Sequence, residues 1–138
     1  MSLRPFHLAF TVNDLVQAEA FYGGQLGCPV GRRCDSWIDF DFFGHQITAH
    51  LDHEPETVTK NAVDGDQVPK RHFGIILEWE DWQTLAKRLE QTDAQFIIKP
   101  KVRFKGQVGE QATMFVTDPA GNALEFKAFK EDRAIFQA

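Results

Sequence analysis

The sequence predicts an α+β fold: two βαβββ modules whose mixed sheet curves into a half-open cup, with helices on the outer face. Three observations carry this expectation. Apolar residues alternate with polar ones over Pro5 to Val12 and again over Arg71 to Trp79. Each alternation is followed by a helical pattern and then by short extended segments. His7 and His72 stand near the start of the two repeats, 65 residues apart. A length of 138 residues suits one domain, 1–138. Module one is expected over about 4–52, a linker over 53–70 and module two over about 71–129.

The elements follow in order. Phe6, Leu8, Phe10 and Val12 form the greasy face of the first strand, with His7, Ala9 and Thr11 between them. Asn13-Asp14 offers a helix N-cap, and Gln17 three residues after Asp14 resembles a capping box. Leu15, Ala18, Phe21 and Tyr22 follow at helical spacing, and Gly23-Gly24 is expected to end the helix. Three short strands follow around 28–32, 37–42 and 46–51, with a turn at Phe43-Gly44 between the last two. Residues 52 to 70 are polar, lack a period and read as a loop. The second strand–helix pair is Arg71 to Trp79, then Trp82, Leu85, Ala86 and Leu89 at i, i+3, i+4 and i+7. A short strand over Phe96 to Lys99 is expected to stop at Pro100. Val102 to Gln111 is a charged, glycine-bearing segment. Ala112 to Thr117 and Asn122 to Phe129 are strands joined by the turn Asp118-Pro119-Ala120-Gly121.

Composition excludes several classes. With 15 basic and 20 acidic residues the formal charge is −5, which argues against a nucleic-acid partner. No apolar run approaches the roughly 20 residues of a membrane span, and the first residues lack the apolar stretch of a signal peptide. Cys28 and Cys34 form neither a CxxC pair nor a disulfide framework, so reduced thiols in a cytoplasmic protein are expected. The chain has 13 Phe, 5 His and a single Tyr. Phenylalanines build a core; histidines need another reason.

Strand parity sorts the polar residues. Successive side chains point to opposite faces. His7 and His72 therefore point away from the apolar faces of their strands. Glu125 points away from Leu124 and Phe126, and Thr48 and His50 away from Ile47, Ala49 and Leu51. On one reading these are hydrogen-bonded histidines and a solvated glutamate. On the other, two imidazoles and one carboxylate on a common face form the facial triad of a non-haem Fe(II) centre, a set that also suits Mn, Ni, Co or Zn.

Four segments resemble the vicinal oxygen chelate superfamily, which includes glyoxalase I, bleomycin-resistance proteins, fosfomycin-resistance enzymes and extradiol dioxygenases. They are His7-Leu8-Ala9-Phe10-Thr11-Val12 with Asp14, Ala20-Phe21-Tyr22 through Gln25-Leu26-Gly27, His72-Phe73-Gly74, and Thr117-Asp118-Pro119-Ala120-Gly121-Asn122-Ala123-Leu124-Glu125. The resemblance covers nearly the whole chain. Trp37-Ile38-Asp39-Phe40, Phe43-Gly44-His45-Gln46, Arg103-Phe104-Lys105-Gly106 and Gly109-Glu110-Gln111-Ala112-Thr113-Met114-Phe115 look most like a bacterial group of predicted small extradiol-type dioxygenases.

The resemblance implies that His7, His72 and Glu125 are the metal ligands. Glyoxalase I adds a glutamate in the fourth strand, where this chain has Thr48, four residues after Gly44 as Glu125 is four after Gly121. Extradiol enzymes add a histidine and a tyrosine that handle protons; Phe115 stands at the tyrosine position, and His50 is the candidate acid–base group. Arg103 and Lys105, on a segment carrying Gly106 and Gly109, suggest a clamp for an anionic substrate group such as a carboxylate. The expected function is therefore an extradiol-type dioxygenase that chelates a small catechol-like or enediol substrate to Fe(II). The alternatives are a redox-neutral lyase, isomerase or thiol transferase of the glyoxalase type with another divalent metal, or a non-catalytic small-molecule binding protein. The expected partner is a small molecule, with homodimer assembly left open and no nucleic acid or membrane involved.

Overall fold

The computed structural model describes residues 1–54, 59–63 and 65–137. Its strands are β1 (His7–Val12), β2 (Val30–Arg33), β3 (Trp37–Phe42), β4 (His45–Leu51), β5 (Lys60–Val63), β6 (Asp66–Pro69), β7 (Phe73–Ile76), β8 (Gln95–Arg103), β9 (Gln111–Thr117) and β10 (Ala123–Phe129). The α-helices are α1 (Leu15–Ala18) and α2 (Trp79–Glu90). The chain divides into two compact units, residues 1–57 with 118–122 and residues 58–117 with 123–138. One four-stranded sheet has the order β1-β4-β3-β2 and the other β7-β10-β9-β8. In both, the first strand pairs in parallel with the last, and the remaining neighbours are antiparallel. The α+β class and the repeated strand order match the expectation from sequence. No helix among the described residues is long and apolar enough to cross a membrane.

In the first unit, Asp14 caps α1 by accepting the N–H of Gln17 at 3.0 Å. The helix does not end at Gly23-Gly24. It widens into a π-helical segment, Glu19–Gln25, closed by the N–H of Leu26 donating to the carbonyl of Phe21. Phe21 and Leu26, five residues apart, are both buried, and the wider π turn brings them to one face. Tyr22 is fully buried between the rings of Phe10, Phe21 and Phe40. Its hydroxyl donates to Asp118 Oδ2 at 2.8 Å. Asn122 Nδ2 donates to the same oxygen and to the Thr11 carbonyl, and the N–H groups of Ala120 and Asn122 donate to Asp118 Oδ1. Burial raises the pKa values of both Tyr22 and Asp118. Cys28 is buried, Cys34 is exposed, and neither is in a disulfide.

In the second unit, α2 buries Trp82, Leu85, Ala86 and Leu89, the four positions its period selects. Trp82 Nε1 donates to the Phe126 carbonyl at 2.8 Å, pinning the helix to the central strand β10. β8 runs through Pro100 rather than stopping before it. The strand lies at the edge of its sheet, and its register shifts between Ile98 and Lys101, so the missing N–H of proline breaks no ladder. The polar segment before His72 also differs from the expected loop: β5 and β6 pair there as a hairpin. Positions 55–58 and 64 of the expected linker lie outside the described residues. The hairpin shows no period because all four residues of β5 are exposed, and only Val68 and Pro69 of β6 are buried.

Gly74 fixes the spacing of β7 and β10. It stands in register with Glu125, and a Cβ built on it would lie 1.5 Å from the Glu125 carbonyl oxygen. Gly74→Ala must force the two strands apart and is expected to cost about 3 kcal/mol or more; chemical denaturation would measure it. Tyr22→Phe removes one of several donors to Asp118, and the expected loss is about 1–2 kcal/mol, read as a lower urea midpoint at unchanged slope.

Candidate functional site

The register of each sheet decides which side chains share a face. In the second unit, Gly74, Glu125 and Phe115 lie side by side, and Lys127 lies beside Thr113. Residues in register point to the same side of a sheet, so Glu125, Lys127, Thr113 and Phe115 share one face. Leu124, Phe126, Val116 and Met114 are buried on the other. The parity argument for Glu125 is met.

His72 immediately precedes β7. Its Nδ1 is 2.8 Å from the Pro69 carbonyl oxygen. A carbonyl only accepts, so Nδ1 carries a proton, and in the neutral imidazole Nε2 is then the nitrogen with the lone pair. That Nε2 lies 3.7 Å from Glu125 Oε1, with the two side chains 29% and 16% exposed. The ring of His72 stands edge-to-face with Phe115, centroids 4.9 Å apart. Thr113 Oγ1 donates to Glu125 Oε2 at 2.8 Å, and Lys127 Nζ is 3.6 Å from Oε1. One carboxylate oxygen is thus held by a hydroxyl, while the other faces an imidazole nitrogen and an ammonium group.

This pair has the chemistry of metal donors. The imidazole is oriented through its far nitrogen, as ligating histidines commonly are. Donors each about 2.0–2.2 Å from a cation stand roughly 3–4 Å apart, and 3.7 Å falls in that range. It remains a pair of donors: among the described residues, no group of three or more His, Cys, Asp or Glu side chains is gathered as a metal site.

The first unit has the matching pattern. Ala9, Thr48 and Asp39 lie side by side, flanked by the rows His7, Gln46, Asp41 and Thr11, His50, Trp37. His7 and His50 are exposed, as their parity predicts. Thr48 is buried and donates to Asp39 Oδ1 at 2.6 Å, and Gln46 Nε2 donates to Oδ2 at 3.3 Å. A cleft of about 340 Å³ opens beside Asp39, bordered by Arg32, Gln46 and His45. His45 is a structural residue whose Nδ1 accepts the N–H of Phe6. His53 is exposed.

The expected anion clamp divides. Lys105 is exposed on the loop after β8. Arg103 is not on that loop. It belongs to β8, its side chain is 6% exposed, and its guanidinium donates to Asp66 Oδ2 at 2.9 Å and to the Val63 carbonyl at 3.4 Å. Its guanidinium is thereby engaged by the β5–β6 hairpin. Sequence reasoning missed Thr113, Lys127 and the Pro69 carbonyl. Parity counted two residues either way from Glu125 would have found Lys127; the other two needed the register and the hairpin.

The comparisons with known proteins agree with this architecture. The family model described as Glyoxalase/Bleomycin resistance protein/Dioxygenase superfamily matches residues 4–126. A glyoxalase/bleomycin resistance protein/dioxygenase from Alicyclobacillus acidocaldarius is 34% identical over 96% of each chain, with a TM-score of 0.82. The genomically encoded fosfomycin resistance protein from Listeria monocytogenes shares the fold at 14% identity, over 97% of this chain and 98% of that one, with a TM-score of 0.71. An integron cassette protein from the mobile metagenome of the Halifax Harbour sewage outfall shares it at 22% identity, over 90% and 97%, with a TM-score of 0.67. No curated protein matches the chain.

Asp66 supplies a pH-dependent contribution in this unit. The hydrogen bond from Lys101 chiefly, and the charges of Lys101 and Arg103, hold its carboxyl below the ordinary carboxylate range. A depressed acid stabilises fully above its unfolded value of about 4 and loses that contribution as pH falls through the folded value. Thermal melts below about pH 4 should therefore fall more steeply with acidity in the native chain than in Asp66→Asn.

Proposed function

Because the chain belongs to the Glyoxalase/Bleomycin resistance protein/Dioxygenase superfamily, we propose that it is a mononuclear metal-dependent enzyme acting on a small molecule with two adjacent oxygens. The observation that carries this reading is the His72–Glu125 pair, with Nδ1 of the histidine bound to a carbonyl, Nε2 turned to the carboxylate and Thr113 holding the far oxygen. His72 and Glu125 would hold the metal. His7 is the proposed third ligand. It lies two residues before Ala9, which is in register with Thr48, as His72 lies two before Gly74, which is in register with Glu125. Fe(II) is the proposed ion; when bound it supplies a Lewis acid and an anchor for dioxygen. The proposed reaction is ring-cleaving or related oxygenation of a catechol-like or enediol substrate.

The chain's own groups have separate tasks. Thr113 fixes the plane of the Glu125 carboxylate. Lys127, beside Oε1, offers a positive charge to an anionic oxygen of the substrate. His50, exposed on β4, is the proposed proton carrier, a role worth about 10²–10⁴ in rate. Lys105 is the proposed cation for a more distant carboxylate. Phe115 excludes water from one side of the imidazole and has no proton to give. That last property favours the second reading, a redox-neutral lyase, isomerase or thiol transferase using Mn, Ni, Co or Zn.

Metal analysis of protein purified without chelator tests the reading first. Bound metal is expected, together with a loss of affinity of about 10-fold or more in His72→Ala and in Glu125→Gln. Oxygen uptake with a panel of catechols after anaerobic Fe(II) loading is the expected sign of oxygenation. Turnover without oxygen uptake would transfer the assignment to the redox-neutral reading. A native chain that takes up no divalent metal, with His72→Ala unchanged in every property, leaves only a binding protein.

A further inference from the structure

We propose that Asp66 and Arg103 are positioning residues for His72: their ion pair seats the β5–β6 hairpin, and the end of that hairpin holds the histidine. The inference rests on the reading of His72 as a metal ligand and deepens it.

Each link is a contact within the second unit. The hairpin has little apolar surface with which to hold itself, since β5 is exposed throughout. Its attachments to the sheet, among the described residues, include specific polar contacts. Asp66 is hydrogen-bonded by Lys101 and by the buried Arg103. The same guanidinium donates to the Val63 carbonyl on the facing strand. Val68 packs with Ile98 and Phe115. The hairpin then ends at Pro69, whose carbonyl takes the Nδ1–H of His72. Phe115, the residue against which Val68 packs, also meets the imidazole ring edge-to-face. The hairpin therefore acts on His72 twice, once by a hydrogen bond that fixes the tautomer and once through the ring that walls the imidazole.

The arginine is suited to this task. A planar fork can bind two acceptors on two strands at once, which a lysine ammonium on a flexible stem does less well. Detaching the hairpin withdraws the Pro69 carbonyl. Nδ1–H then loses its acceptor, and the imidazole is free to place its proton on Nε2, the atom that must stay bare to bind a cation. Groups that orient a ligating histidine in this way affect metal affinity by about 10–100-fold.

The test uses the full chain labelled with ¹⁵N. Long-range ¹⁵N–¹H correlations report the tautomer of each histidine, and comparison with His72→Gln assigns the signals of His72. In the metal-free native chain His72 should be the Nδ1–H tautomer. Asp66→Asn should shift it towards a mixture with Nε2–H and weaken Co(II) binding about tenfold, with backbone resonances away from the hairpin and its contacts at Ile98, Lys101, Arg103 and Phe115 unmoved. Asp66→Glu should restore both properties in large part. Arg103→Lys carries the same expectation in milder form and replaces Asp66→Asn if that variant does not fold. An unchanged tautomer and an unchanged Co(II) affinity in a folded Asp66→Asn would overturn the proposal. If the native chain binds no Co(II), the metal-enzyme reading falls, and the tautomer measurement still decides whether the hairpin positions His72.

Discussion

A hydrogen atom stands at Gly74 where any other residue would carry a Cβ, and that absence lets β7 lie against β10 at the level of Glu125. The parallel pairing of the two strands passes through this point. Because His72 enters β7 two residues earlier, the same close approach brings its imidazole to the Glu125 carboxylate. Thr113 then reaches that carboxylate from the antiparallel neighbour β9, and Lys127 from two residues further along β10 itself. The candidate site is thus a product of backbone spacing first and of side-chain chemistry second.

The two units show how one strand order supports different surfaces. In the second unit the row is Gly74, Glu125, Phe115; in the first it is Ala9, Thr48, Asp39. The carboxylate has moved one strand over. Asp39 is buried and receives hydrogen bonds from Thr48 and Gln46, so its oxygens are occupied within its own sheet. Glu125 leaves Oε1 facing an imidazole and an ammonium group. Similar topology with unequal polar pairing is what a duplicated scaffold with one more specialised half would show, consistent with function residing in sites rather than in folds.

Much of this was legible in the sequence, because periodicity reports local geometry. The alternation around His7 and Glu125 gave their faces correctly, and the period of α2 selected its four buried residues. The misreadings have physical causes. Gly23-Gly24 reads as a helix end, but the five-residue spacing of Phe21 and Leu26 draws the chain into a π turn instead. Pro100 reads as a strand end, but an edge strand with a shifted register accommodates it. The β5–β6 hairpin was invisible because ion pairs anchor it, and those pairs, with Arg103 and Lys101 more than thirty residues from Asp66, leave no period. For the same reason Arg103 reads as a free cation on a loop when its partner lies on another element.

The network around Tyr22 bears on how the chain comes to be folded. The acceptor of its hydroxyl is Asp118, 96 residues further on, and the turn from Asp118 to Asn122 clusters with the first unit although it joins two strands of the second sheet. As the chain leaves the ribosome, β1 to β4 can pair early, yet the tyrosine at their centre has no acceptor until this turn has been made. The first half therefore cannot reach its final state ahead of the second, and contacts of such sequence separation slow folding by the entropy of closing the loop. What looks like a repeat in topology is interleaved in time: the first half waits for the last sixth of the chain.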